Sequence, residues 1–165
     1  MTLCHASKEI IEFPEVRKTK YTKDFSWGFY CTNNFEQAVR WANRGEEKPI
    51  INFYSYMLNK KLNIIKFEKM TDAWLDFIAK CRKGETHPYD IVEGPMADDT
   101  IWNYVNDFLL GRITRKQFWV LAEFRYPILL LSVIKYLISG RMFIIRIQVI
   151  WNAPTKPGIC WIRKE

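Results

Sequence analysis

Short apolar runs and helical patterns follow each other irregularly over residues 1–124. Strands are predicted where β-branched and aromatic residues cluster or alternate with polar ones, at 2–4, 28–32, 50–58, 62–67 and 89–93. A second short segment with apolar residues follows at 9–13 and ends at Pro14. Four helices are predicted from apolar residues at helical spacing behind the capping residues Asn33 or Asn34, Thr71, Asp98 or Asp99, and Thr114. Because strands and helices mix without regular alternation, the expected fold class is α+β.

Residues 128–165 differ in pattern from the rest of the chain. The stretch 128–151 is strongly apolar but contains Lys135, Arg141 and Arg146, and three charges inside one span disfavour a transmembrane helix. We therefore expect no transmembrane helix here and do not favour a membrane partner. The sequence divides into a domain over 1–127 and an atypical apolar, basic tail over 128–165.

The basic charge is concentrated in this tail. The net charge is +7, which alone favours a nucleic-acid or acidic-membrane partner. Residues 125–165, however, hold seven Lys and Arg against one acid, which leaves residues 1–124 with 18 basic and 17 acidic side chains. A nearly neutral body argues against an extended basic binding surface.

The cysteines and histidines do not have the spacing of a metal site. The chain has four Cys (4, 31, 81 and 160), of which no two form a C-x-x-C pair, and two His. We expect no zinc and no other metal. With no signal peptide in view, the cysteines are expected to be reduced thiols in the cytoplasm.

Four short motifs could carry chemistry. They are His5-Ala6-Ser7, the run DFSWGFYCT at 24–32, AVRWA at 38–42 and YDIVEGPMADD at 89–99. Each motif alone has an ordinary structural interpretation: a lone His is more often structural, and Tyr30 and Trp41 by themselves are typical core aromatics.

Together the four motifs resemble a bacterial domain-of-unknown-function family, number 3990, of the ADP-ribosyltransferase superfamily. Its members carry H-G-S after a first strand, then D-F-G-x-G-F-Y-x-T, A-x-x-W-A and Y-D-I-V-x-G-x-x-A-D-D, and the order and approximate spacing match over residues 1–124. Ala6 and Ser26 stand where the family has Gly. The resemblance implies a split β-sheet with flanking helices and NAD as the substrate.

The resemblance also implies roles for five residues. His5 and Ser7 would contact the adenosine ribose of NAD, and Gly28 and Tyr30 would hold the nicotinamide. In poly-ADP-ribose polymerases a second aromatic follows the Tyr by eleven residues, the separation of Tyr30 and Trp41 here, so Trp41 would close the clamp. A planar ring held between two aromatics is oriented for cleavage of its glycosidic bond, and a carboxylate would stabilise the ribose cation that forms.

The catalytic acid has no clear counterpart. The family motif H-Q-[IV]-x-F is absent after Tyr126-Pro127, and Glu93 is the acid we assign to the catalytic role, since Asp98 and Asp99 are favoured as a helix cap. The abrupt divergence after Pro127 has two interpretations. The tail is a shifted reading frame, or it is a lineage-specific segment that completes the sheet with its own strands.

The leading functional hypothesis is an NAD-dependent ADP-ribosyltransferase that modifies a macromolecule, as a toxin paired with an antitoxin protein does. The alternative is a catalytically inactive interaction module on the same scaffold, which the missing acid motif favours. A nucleic-acid or membrane binder acting through the basic tail is the third hypothesis.

Overall fold

A computed structural model describes residues 2–16, 23–44, 50–55, 61–97, 99–125, 134–138 and 145–148. Its strands are β1 (Thr2–Ser7), β2 (Phe29–Thr32), β3 (Ile50–Ser55), β4 (Ile64–Lys66), β5 (Ile91–Pro95), β6 (Ile134–Ile138) and β7 (Ile145–Gln148). Its helices are α1 (Phe35–Ala42), α2 (Asp72–Arg82), α3 (Asp99–Leu109) and α4 (Arg115–Arg125). The predicted α+β class is confirmed.

The seven strands form one sheet in the order β4-β5-β6-β2-β1-β3-β7. β4 and β5 are parallel, and the other neighbouring pairs are antiparallel. β6 pairs with β5 on one side and with β2 on the other, so it joins the two halves of the sheet. Both β6 and β7 come from the tail after residue 127, whose other residues lie outside the described part of the chain.

Each helix prediction corresponds to a helix in the structure, and local capping explains the starts. The side chains of Asn34 and Thr71 accept hydrogen bonds from the first turns of α1 and α2. Before α4, Thr114 and Gln117 form a reciprocal capping box, in which the Gln117 backbone N–H donates to Thr114 Oγ1 and the Thr114 N–H donates to Gln117 Oε1. Asp99 begins α3, whereas Asp98, the other cap candidate, lies outside the described residues.

The strand predictions differ from the structure mainly at their ends. β1 continues three residues beyond the predicted 2–4, so that His5 lies inside a strand. The segment 9–13 forms no strand.

β5 runs two residues further than predicted, through Gly94, where an added Cβ would come within 3.0 Å of Phe67 Cβ. The Phe67 N–H donates to the Glu93 carbonyl at 2.7 Å, which extends the β4–β5 contact and keeps β5 extended.

The helices pack on one face of the sheet. Tyr30 and Val92 lie on this face and join α2, α3 and α4 in the main core, whose buried members are Phe25, Tyr30, Phe67, Trp74, Leu75, Ile78, Val92, Ile101, Val105, Phe118 and Ala122. α1 covers the same face further along, where Ala38 and Ala42 pack against Cys4 and Ile51. Leu3, Phe29 and Tyr54 pack on the opposite face, against Ile11 and Leu62.

A buried ion pair connects the loop before β2 to the helical layer. The Arg82 guanidinium at the end of α2 binds the Asp24 carboxylate, and their side chains are 5% and 2% exposed. The other Asp24 oxygen accepts the Ala97 N–H at 2.9 Å, and Arg82 also donates to the Trp102 carbonyl and to Asn106 on α3. Because both charges are hydrogen-bonded on several sides, the pair is tolerated in the interior.

Replacing Asp24 by Asn should lower the free energy of unfolding by about 3–5 kcal/mol, because Arg82 would be left as an unpaired buried charge. Urea unfolding followed by circular dichroism measures this. Asp107→Asn is the matched control, since Asp107 pairs with Arg112 at the surface and its loss should cost less than about 1 kcal/mol. Equal losses in the two variants would contradict a structural role specific to the buried pair.

Candidate functional site

A cavity of about 220 Å³ opens beside the start of β2. Three predicted site residues line it, namely His5, Gly28 and Tyr30. The remaining lining residues come from the two loops that flank the cavity and from β2: Ile11, Phe13, Glu15, Lys23, Ser26, Trp27 and Phe29. The cavity therefore combines one imidazole, two opposite charges and several aromatic rings.

His5 occupies the point where β1 and β2 cease to pair. The two strands share a single Cα pair, Cys4 with Thr32, although β1 continues to Ser7. Beyond that pair, His5 Nδ1 lies 2.7 Å from the Tyr30 carbonyl, and the ring stacks on Phe29 with centroids 4.3 Å apart. Since a carbonyl can only accept, Nδ1 carries the proton, and in the neutral ring Nε2 is the hydrogen-bond acceptor.

Long-range hydrogen bonds hold the loop that forms one wall of the cavity. Asn52, which is buried, accepts from the Ile11 N–H and donates to the Glu9 carbonyl, and the Tyr54 hydroxyl donates to the Ile11 carbonyl. The Ser7 hydroxyl exchanges hydrogen bonds with the Glu9 backbone. Asn52 and Tyr54 were not identified from the sequence, because they are more than forty residues from their partners.

Tyr30 is largely a core residue. It is 5% exposed, and its hydroxyl donates to the Ser26 carbonyl at 2.7 Å and accepts from the Phe25 N–H at 3.2 Å. Burial raises the pKa of the Tyr30 hydroxyl, so the phenol stays protonated. The Lys23 ammonium lies 4.8 Å from the centroid of the Tyr30 ring, a cation–π arrangement within the cavity.

Ser26 adopts a backbone conformation that favours glycine. Its φ is +68°, in the left-handed region, and its N–H donates to the Lys23 carbonyl at 2.9 Å to close a tight turn. This is the position where the resembling family has Gly. The Cβ of Ser26 therefore adds strain to the loop that lines the cavity.

Ser7, Trp41 and Glu93 do not line this cavity. Trp41 belongs to α1, which packs on the same face of the sheet as Tyr30. His5 and Ser7 lie on the opposite face. Glu93 lies on β5, where its carboxylate pairs with Lys66 Nζ at 3.2 Å. The carboxylate that does line the cavity, Glu15, was not selected from the sequence, since it is a loop residue outside the motifs.

Other chemistry is limited in the described part of the chain. Among those residues, no group of three or more His, Cys, Asp and Glu could hold a metal ion. Three cysteines, Cys4, Cys31 and Cys81, are buried free thiols, and burial raises the pKa of Cys4 to about 11, which disfavours the nucleophilic thiolate. The helices within the described ranges are all too short or too polar to span a bilayer.

The variant Ser26→Gly should raise the free energy of unfolding by about 0.5–1 kcal/mol, because removing the left-handed Cβ strain outweighs the greater freedom of glycine in the unfolded chain. Chemical denaturation measures the change. Ser26→Ala is the control, since it removes the hydroxyl but keeps the Cβ and should give no gain. Stabilisation by Ala as well as Gly would show that strain is not the cause.

Comparisons with known proteins identify the family of this chain and nothing more specific. A search of curated proteins and a search of solved structures each found no significant match. A family model described as "Protein of unknown function (DUF3990)" matches residues 1–133, and its match ends just before β6. The match covers most of the chain and confirms the family identified from the four motifs. The chain belongs to the DUF3990 family of proteins of unknown function.

Proposed function

We propose that this protein binds NAD through an ADP-ribosyltransferase-like site, with the nicotinamide end in the cavity beside β2. The observation that carries the proposal is the convergence of His5, Gly28 and Tyr30 on one cavity. These residues belong to two separate motifs, and the resemblance assigns all three to NAD. Their common location supports the assignment independently of the motif spacing.

The size and polarity of the cavity fit part of a dinucleotide. Ligand pockets for whole drug-sized molecules enclose roughly 300–1,000 Å³, whereas this cavity encloses about 220 Å³. It therefore suits one planar ring and its attached sugar, with the rest of the ligand lying outside. His5 Nε2, as an acceptor, is suited to a ribose hydroxyl. The resemblance assigns His5 to the adenosine ribose, whereas in this cavity it would meet the ribose attached to the nicotinamide.

The arrangement of carboxylates favours a second candidate function, a domain that binds NAD without turning it over. Glu93, the proposed catalytic acid, is paired with Lys66 and does not line the cavity. Glu15 lines the cavity but belongs to a loop. Transfer of ADP-ribose to a macromolecule, as in a toxin, requires a carboxylate at the ribose during turnover, and Glu93 and Glu15 are the two candidates considered for this role.

Binding is tested by calorimetry with NAD on the wild type and on His5→Ala, which should bind roughly tenfold more weakly because a hydrogen bond and a ring contact are lost. His87→Gln is the matched control: His87 also hydrogen-bonds a backbone carbonyl, that of Phe25, but does not line the cavity. Absence of NAD binding by the folded wild type, or equal loss in both variants, would refute the proposed site. Tyr30→Ala is a poor probe, since it would remove a core ring.

Turnover is tested by measuring nicotinamide release from NAD by the wild type, Glu93→Gln and Glu15→Gln. For the enzyme, we expect loss of about 10²–10³ in rate in the variant that lacks the catalytic carboxylate, because charge stabilisation at the ribose is lost. Lys66→Gln controls for the ion pair of Glu93. NAD binding without release in the wild type would instead establish the inactive binding domain.

A further inference from the structure

Lys23 is a charged group within the cavity, and no acidic side chain in the described part of the chain pairs with it. It lines the cavity beside Tyr30, and among the residues that the structure describes its ammonium forms no ion pair. Neither Asp24, its sequence neighbour, nor Glu15, the carboxylate of the same cavity, neutralises it. An uncompensated cation in a concave site favours an anionic ligand.

We propose that Lys23 anchors a phosphate subsite at this cavity, and that the ligand there is the diphosphate of a nucleotide. The assignment rests on the proposed function, because it places the diphosphate of the dinucleotide next to the ring-binding part of the same cavity. It adds a residue that none of the four motifs contains.

The position of Lys23 is fixed by its neighbours. Its carbonyl accepts the Ser26 N–H at 2.9 Å, and the adjacent Asp24 is held by Arg82 and by the Ala97 N–H. Both oxygens of Asp24 thus already accept hydrogen bonds from other groups. The backbone at this point is anchored to the helical layer, so little ordering of the loop is needed when an anion binds.

The ammonium also carries a desolvation penalty that an anion would relieve. The Lys23 side chain as a whole is exposed, yet partial burial lowers the pKa of its amine below the ordinary value. The Tyr30 ring offsets part of this cost through its π-face. A phosphate oxygen would supply the missing opposite charge and a charge-assisted hydrogen bond.

An exposed aromatic ring favours a nucleotide over free phosphate. Phe13 lines the same cavity and is 83% exposed. A phenyl ring in water beside an anion-binding group can stack on a planar base, which buries apolar surface on both partners. The loop that carries Phe13 is held in place by the hydrogen bonds of Ile11 with Asn52 and Tyr54. The position of the Phe13 backbone is therefore restricted before a ligand binds.

Calorimetry with three probes, ADP, inorganic pyrophosphate and nicotinamide, separates the parts of the site. Lys23→Gln should bind ADP and pyrophosphate at least about tenfold more weakly than the wild type, since a charged hydrogen bond is lost, and should bind nicotinamide unchanged. Lys23→Arg should retain ADP binding. Lys116→Gln, an exposed lysine of α4 away from the cavity, is the matched control.

The subsite is refuted if the folded wild type binds neither ADP nor pyrophosphate, or if Lys23→Gln binds both as well as the wild type does. Phe13→Ala should weaken ADP binding and leave pyrophosphate binding unchanged; no effect on ADP would refute a nucleotide and reduce the site to a phosphate site. ADP binding that depends on Lys23, with no binding of NAD or nicotinamide, would support the subsite and refute the proposed NAD function.

Discussion

The buried pair of Asp24 and Arg82 is the constraint on which the rest of the structure depends. Its two carboxylate oxygens and its guanidinium connect the loop before β2, the end of α2, the segment after β5 and α3. The charges compensate each other only if all of these segments are in place. A polar contact thus links α2 and α3 to the loop before β2, while the apolar core supplies most of the stabilisation.

The pair of Asp24 and Arg82 also fixes the loop that lines the cavity. Asp24 holds the loop whose next residues, Phe25 and Ser26, hydrogen-bond the Tyr30 hydroxyl, and whose preceding residue is Lys23. The motif at 24–32 therefore serves two purposes, since some of its residues secure the loop and others line the cavity. This explains why Tyr30 can belong to the core and to the cavity at once.

The helices were predictable from the sequence because caps and spacing are local: Asn34, Thr71 and Thr114 lie within a few residues of the N–H groups that they satisfy. Gathering of His5, Gly28 and Tyr30 could be expected from the motifs. The sequence did not predict that the loop residues Lys23, Phe13 and Glu15 also line the cavity. Long-range contacts such as the hydrogen bond between Asn52 and Ile11 position these loops, and such contacts leave no periodic pattern in the sequence. The insertion of β6 between β5 and β2 is also nonlocal, and no feature of residues 134–138 specifies those neighbours.

The central position of β6 has a consequence for the order of events during synthesis. The strands on either side of it, β2 and β5, leave the ribosome well before residues 134–138 do. Until then each half of the sheet presents an unpaired edge, and unpaired edges invite pairing with other chains. A half-sheet that forms before residues 134–138 emerge lacks this shared strand, and a chaperone that covers its edge would prevent such pairing.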